Sequence, residues 1–240
     1  MRAIGVVGYK NSGKTTLTLA LIGELASRGH RVAAVKHTSE KMDLLDKDTA
    51  RLGESAHQVG FVSPEESGVF IRGESRLDDI LVHLDADLVV IEGFKRELSY
   101  PKIACLSGRE EDRNLFNGLV ICAAGPGDQA PELSDPAVQY LNRDAIGAIA
   151  DLAEKRAFKL PNLNCGGCGF EDCYGLAREI VAGAKSAEDC VSLHPEAELL
   201  VDGKPVPLNP FISELFGNVV RAMVSTLRGF HEGSIEIKIG

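Results

Sequence analysis

Alternating strand-like and helix-like segments over residues 1–158 predict an α/β fold: a mainly parallel sheet flanked by helices, with a small module at residues 159–240. Two observations carry this expectation. Short apolar runs recur with helical patterns or loops between them, which implies right-handed crossovers within one sheet. Four of the six cysteines then fall between residues 165 and 190, beyond a change of composition at Lys159-Leu160-Pro161-Asn162-Leu163-Asn164 that reads as a linker.

The elements follow in order. Arg2–Val7 reads as a first strand. A helix over Thr15–Arg28 has Leu17, Leu21 and Leu25 at helical spacing, with Gly29 just past its end. Val32–Val35 is a second strand, residues 38–60 are polar and irregular, and Gly68–Ile71 is a third strand. A helix over Leu77–Leu84 leads into Asp87–Glu92, whose continuous apolar run suits a strand buried on both faces. Lys102–Leu106 and Leu119–Cys122 add two more strands, and Asn142 is expected to cap a helix reaching Arg156. In the module, a helix is expected over Cys173–Ala182 and a turn over Asp202–Pro205. A last helix over Pro210–Arg228 has Phe211, Leu215, Val219, Met223 and Leu227 at i+4 steps, read as packing against the main domain. Ile235–Ile239 alternates like an edge strand.

The net charge of −9 is spread along the chain, and neither part is basic, which argues against a nucleic-acid partner. No apolar run approaches the ~18 residues of a membrane span. The N-terminal apolar run is short for a signal peptide, so a cytoplasmic protein is expected. Cys105 and Cys122 lie singly in apolar stretches and read as small core residues.

Between the first strand and helix stands Gly8-Tyr9-Lys10-Asn11-Ser12-Gly13-Lys14-Thr15-Thr16. Gly-x-x-x-x-Gly-Lys-Thr in that position is the phosphate loop of a P-loop NTPase. Gly8 and Gly13 let the backbone turn so that N–H groups, among them those of Asn11 and Ser12, face phosphate oxygens at a helix N-terminus. Lys14 reaches the β- and γ-phosphates, and Thr15 supplies a hydroxyl to Mg2+, with Thr16 beside it. Magnesium also needs a carboxylate near the carboxyl edge of the sheet. Glu92 is at that edge, whereas Asp87 enters the same strand at the other. Lys36 and His37, ending the second strand, reach toward the γ-phosphate or a second ligand, or form a solvated pair. Asp48 is a further candidate for magnesium, directly or through water, with an ordinary surface acid as the alternative.

Gly8 to Thr16, Val35-Lys36-His37, Lys47-Asp48-Thr49, Asp87 to Lys95 with Glu92-Gly93-Phe94-Lys95 at its end, and Pro101-Lys102-Ile103 occur in that order. Together they resemble the molybdopterin-guanine dinucleotide biosynthesis protein B family over residues 1 to about 157. The resemblance implies a GTP-binding protein with weak GTPase activity that dimerises and assists the guanylyltransferase attaching GMP to molybdopterin. Thr38, Ser39 and Glu40 depart from the further histidines that often follow Lys-His in that family, and Asp46 from a common glycine. Guanine selectivity rests on the resemblance: Asn142-Arg143-Asp144 is one residue short of an Asn-x-x-Asp base reader, and reads more simply as a helix N-cap.

Cys165-x2-Cys168-x4-Cys173-x16-Cys190 puts two thiols on a glycine-rich loop, a third at a helix start and a fourth beyond that helix. A helix N-terminus favours the thiolate, and glycines give the backbone room to wrap a cluster. The spacing favours a 4Fe-4S cluster. Zinc is the rival, although only the first cysteine pair fits a zinc knuckle. Residues 160–195 resemble the small iron–sulfur domain of corrinoid iron–sulfur proteins and of electron-transport complex subunits, which implies these four ligands and a role in electron transfer or redox sensing. Three functions follow: an accessory factor for guanylating the molybdenum or tungsten cofactor, partnered by the guanylyltransferase or a molybdoenzyme; a nucleotide-gated redox or metallocluster-delivery protein; and a small-molecule kinase.

Overall fold

The computed structural model describes residues 1–38, 51–52 and 55–237. The strands are β1 (Arg2–Val7), β2 (Val32–Lys36), β3 (Gln58–Val62), β4 (Ser67–Ile71), β5 (Leu88–Glu92), β6 (Lys102–Cys105), β7 (Val120–Gly125), β8 (Gln139–Asn142), β9 (Leu199–Val201) and β10 (Lys204–Val206). The helices are α1 (Lys14–Ser27), α2 (Leu77–Leu81), α3 (Ile146–Arg156), α4 (Cys173–Ala182) and α5 (Pro210–Val224). Two compact units result, one of residues 1–36 with 85–240 and the other of residues 37–84.

The larger unit is built on a six-stranded, all-parallel sheet ordered β2-β5-β1-β6-β7-β8. The apolar runs form its centre because both faces are covered: β5, β6 and β7 are buried at every residue. Leu17, Leu21 and Leu25 of α1 share one core with Ile149, Ala150 and Ala153 of α3 and with Ile4, Val6 and Val90 from the strands. Arg28 ties the two helices by hydrogen bonds to Glu24, Asp151 and Glu154. Because the strands are parallel, one edge of the sheet gathers all their carboxyl ends, where ligands of α/β proteins collect.

The cysteine-bearing segment packs at the other edge. Leu119, just before β7, shares a core with Phe158, Leu160, Cys173, Leu176, Ala177 and Cys190, and Leu98 packs against it. Tyr174 donates to the carbonyl of Asn117 at 2.6 Å, Leu160 N–H to that of Ser99 at 2.8 Å, and Arg156 to that of Val181.

The smaller unit contains the antiparallel hairpin β3–β4, with Phe61 stacked on Phe70, and the short helix α2. The strand expected at Gly68–Ile71 therefore exists, but it pairs with Gln58–Val62, which begins inside the stretch read as irregular, and not with the parallel sheet.

Three further expectations are corrected. Asn142 ends β8 and does not cap the helix; the cap is Ala145, without a side-chain bond, and α3 begins at Ile146. The stripe on the last helix is exposed, with Phe211 70%, Met223 68% and Leu227 63% accessible; the buried residue of α5 is Ser213, which bonds to Ala197. Residues 234–237 form no strand, and Lys238 and Ile239 lie outside the described residues. The turn at Asp202–Pro205 is present, joining β9 to β10. Among the described residues no helix is long and apolar enough to cross a membrane.

Candidate functional site

The phosphate loop leaves the carboxyl end of β1 and closes on α1. Gly13 is the residue before the helix, with φ 85°, a left-handed conformation suited to glycine. Gly8 meets a different need: a β-carbon there would stand 2.5 Å from both the Cys105 carbonyl and Ser12 Oγ. Lys14 folds back over the loop and donates to the Tyr9 carbonyl at 2.7 Å. Partial burial lowers its proton affinity, and the charge of Glu92 works against that shift. Thr15 and Thr16 are exposed at the start of α1.

Register brings the acid to the loop. Glu92 is aligned with Val6 on one side and Lys36 on the other. Thr15 Oγ1 donates to Glu92 Oε1 at 3.0 Å, and Lys36 Nζ lies 3.3 Å from the same oxygen. Glu92 is only 7% exposed, so its charge acts at short range and weak screening. A hydroxyl and a carboxylate beside a phosphate loop are hard oxygen donors of the kind magnesium takes, so Thr15 and Glu92 fit that ion. Asp87 stands at the other end of β5, paired with Arg31. His37 begins the other compact unit, and Asp48 lies outside the described residues.

Three side chains to which the sequence reading gives no role at the phosphate loop support it. Cys105, at the end of β6, donates its Sγ–H to the Ser12 carbonyl at 3.0 Å, and burial pushes its thiol pKa up, so it stays a neutral donor. Lys95 places Nζ 3.7 Å from the centre of the Tyr9 ring. Arg143, beyond β8, lies against Gly13.

The four cysteines meet around one small cavity, which Pro161, Leu176 and Ser192 also line. Asp172 caps α4 by accepting from Gly175 N–H, and Asn164 Oδ1 accepts from Cys173 N–H at 2.9 Å, which fixes that cysteine at the helix start. Burial pushes the Cys190 thiol up, opposed by the backbone N–H groups of Ser192 and Leu193 that reach its sulfur. Cys165 Sγ is 3.4 Å from Ser192 Oγ. Among the described residues no three His, Cys, Asp or Glu side chains converge closely enough for a single ion. Thiols gathered around a shared cavity are the soft sulfur ligands that an iron–sulfur cluster or a zinc ion takes.

The family described as molybdopterin guanine dinucleotide synthesis protein B matches residues 3–122, and one described as "Putative Fe-S cluster" matches residues 160–192. A Methanocaldococcus jannaschii protein, named "Putative molybdopterin-guanine dinucleotide biosynthesis adapter protein", is 32% identical over 95% of this chain and 93% of its own. A Haemophilus influenzae adapter protein of the same biosynthesis is 36% identical over 42% of this chain and 60% of its own. A crystal structure of molybdopterin-guanine biosynthesis protein B superposes with a TM-score of 0.51 at 26% identity, covering 64% of this chain and 98% of that one. The chain belongs to the molybdopterin-guanine dinucleotide synthesis protein B family.

Proposed function

We propose that this chain is a GTP-binding adapter in molybdopterin-guanine dinucleotide biosynthesis, with weak GTPase activity at most and a 4Fe-4S cluster in its C-terminal module. Residues 1–158 would form the nucleotide domain and residues 159–240 the cluster module. The observation that carries the reading is the meeting of Thr15 with Glu92 beside Lys14, at the carboxyl edge of the sheet. Lys14 holds the β- and γ-phosphates, and Thr15 and Glu92 hold magnesium, with Lys36 and His37 toward the γ-phosphate and Asp48 as a further metal candidate. These groups bind and neutralise a triphosphate. Fast turnover needs in addition a group that orients the attacking water, which a partner would supply.

The name of the Methanocaldococcus jannaschii relative, which this chain matches over nearly its whole length, supports the adapter role. The partner would be the molybdopterin guanylyltransferase or a molybdenum or tungsten enzyme, with the adapter as a dimer. Cys165, Cys168, Cys173 and Cys190 would hold the cluster, whose chemistry is one-electron transfer. A second reading, nucleotide-gated redox or cluster delivery, is favoured by the core that Leu98 and Leu119 share with the cysteine segment. Both readings are tested on anaerobically purified protein by measuring iron, zinc and nucleotide together, titrating GTP in Mg2+, and reducing the cluster in the presence of GTP or GDP. Iron with GTP binding is expected. A protein that binds no GTP under those conditions overturns the first reading, and one whose cluster is reduced identically with GTP and GDP overturns the second.

A further inference from the structure

We propose that Arg143 is a nucleotide-binding residue at the nucleoside end of the phosphate site, and that Asp128 with Asn142 reads the edge of the base as guanine. This rests on the reading of the phosphate loop as a GTP site and assigns residues to the part of the ligand that the loop does not touch.

The first observation is steric. The Arg143 guanidinium lies so close over Gly13 that a β-carbon there would collide with Nη1 and stand 2.9 Å from Cζ. Gly13 therefore answers to Arg143 as well as to its own positive φ. The second is chemical. Arg143 Nε is buried and has no hydrogen-bond partner. Leaving a charged donor unsatisfied in a buried place is costly, and the group that relieves it is an anion. A guanidinium packed on a phosphate loop meets one when the phosphate oxygens of a nucleotide arrive.

Topology says which end of the nucleotide this is. Glu92 and Lys36 mark the metal and γ-phosphate end, on β5 and β2, to one side of β1. Arg143 follows β8, on the other side, beyond β6 and β7. A nucleotide whose terminal phosphates lie toward Glu92 extends its α-phosphate, sugar and base toward the loops after β7 and β8.

Those loops are built to hold a polar pair. Tyr140 shares its hydroxyl between the carbonyls of Pro126 and Gly127, both at 3.1 Å, which pins the turn carrying Asp128. Asn142 Oδ1 accepts from Asp144 N–H at 3.0 Å, which orients the amide so that Nδ2 donates to Asp128 Oδ1 at 2.8 Å. A carboxylate acceptor thus stands beside an amide donor. Guanine offers N1–H and N2–H donors beside its O6 acceptor, which matches that pair, whereas adenine offers its N6–H donor where guanine has O6.

The test titrates GTP, GDP, ATP and xanthosine triphosphate into full-length protein with Mg2+, using wild type, Arg143→Ala, Arg143→Lys, Asp128→Asn and Lys14→Ala. Arg143→Ala is expected to weaken GTP and GDP by the same factor, roughly 10- to 100-fold, the value of a charged hydrogen bond. Arg143→Lys, which keeps the charge and loses the fork, should fall between. Asp128→Asn should lose GTP and gain xanthosine triphosphate, because the new amide donates to the xanthine C2 carbonyl. GTP and GDP binding unchanged in both arginine variants, with Lys14→Ala impaired, overturns the arginine assignment. An unchanged GTP preference in Asp128→Asn overturns the base assignment. Wild type that binds no nucleotide overturns the GTP reading itself.

Discussion

Lys102 is wholly buried, and its Nζ donates to the main-chain carbonyl of Lys95 at 2.8 Å. That bond braces the segment of residues 93–101, which runs from the carboxyl end of β5 to the amino end of β6. The segment touches both functional regions. Lys95 stacks on Tyr9 of the phosphate loop, and Leu98 packs against the cysteine-bearing core. Glu97 steadies the middle by accepting from Leu98 N–H and Ser99 Oγ.

Burial lowers the pKa of Lys102 from its ordinary 10.5 to about 8, with the charge of Glu97 working the other way. The folded state thus binds this proton more weakly than the unfolded state. Below about pH 8 both states hold the proton, and folding carries the full cost of burying the charge. Between pH 8 and 10.5 the folded state releases it first, so the destabilising contribution shrinks as pH rises. Urea unfolding of wild type and Lys102→Met should give stability differences that move steadily toward wild type across that window. A difference independent of pH would mean that Lys102 does not titrate in the folded protein.

Glu92 should matter through the metal. Its Oε1 receives Thr15 Oγ1 and lies beside Lys36 Nζ. Glu92→Gln removes the charge and retains the shape, so GTP binding should require roughly 10-fold more Mg2+ or beyond, from the ~1.5–3 kcal/mol of a charge-assisted contact. Binding without Mg2+ should not weaken and should if anything strengthen, since the substitution removes a carboxylate that repels the triphosphate. Equal Mg2+ requirements in titrations of the two proteins would remove Glu92 from the metal site.

The cysteine segment is joined to the sheet by apolar packing. Leu160 is fully buried between Leu119 and the α4 side chains. Leu160→Ala should cost about 2–5 kcal/mol by leaving a cavity there. Because the core is shared, thermal melts should show the nucleotide domain and the cluster absorbance losing stability together. Cluster loss at a lower temperature with the rest of the melt unmoved would show that the packing is energetically separate.

The sequence made some of this legible and not the rest, for physical reasons. The phosphate loop and the buried strand Asp87–Glu92 announce themselves because their patterns are local: glycine spacing in one, a continuous apolar run in the other. β8 does not, since Gln139–Asn142 is a short, half-buried edge strand with neither alternation nor an apolar run. Missing it made Asn142 look like a helix cap. Cys105 reads as an ordinary core residue, and only tertiary structure brings its sulfur to Ser12. The i+4 stripe of α5 predicts an amphipathic helix correctly, but periodicity cannot say what covers the apolar face, and within this chain it is exposed.

Lys14 separates the two sites most cleanly. Its ammonium lies over the Tyr9 carbonyl at the phosphate loop, and no residue of that loop belongs to the core around Cys173 and Cys190. Lys14→Ala deletes the charge that neutralises the β- and γ-phosphates, so triphosphate affinity should fall roughly 10- to 100-fold on the scale of a charged hydrogen bond. Iron content and the visible absorbance of the anaerobic protein should stay at wild-type levels, because the thiols, their N–H donors and the Asn164 clamp are untouched. Cys190→Ala should do the reverse, losing iron while GTP titrates as before. If Lys14→Ala lost the cluster as well, the two sites would form one cooperative unit, and residues 93–101 would be the first place to look for the connection.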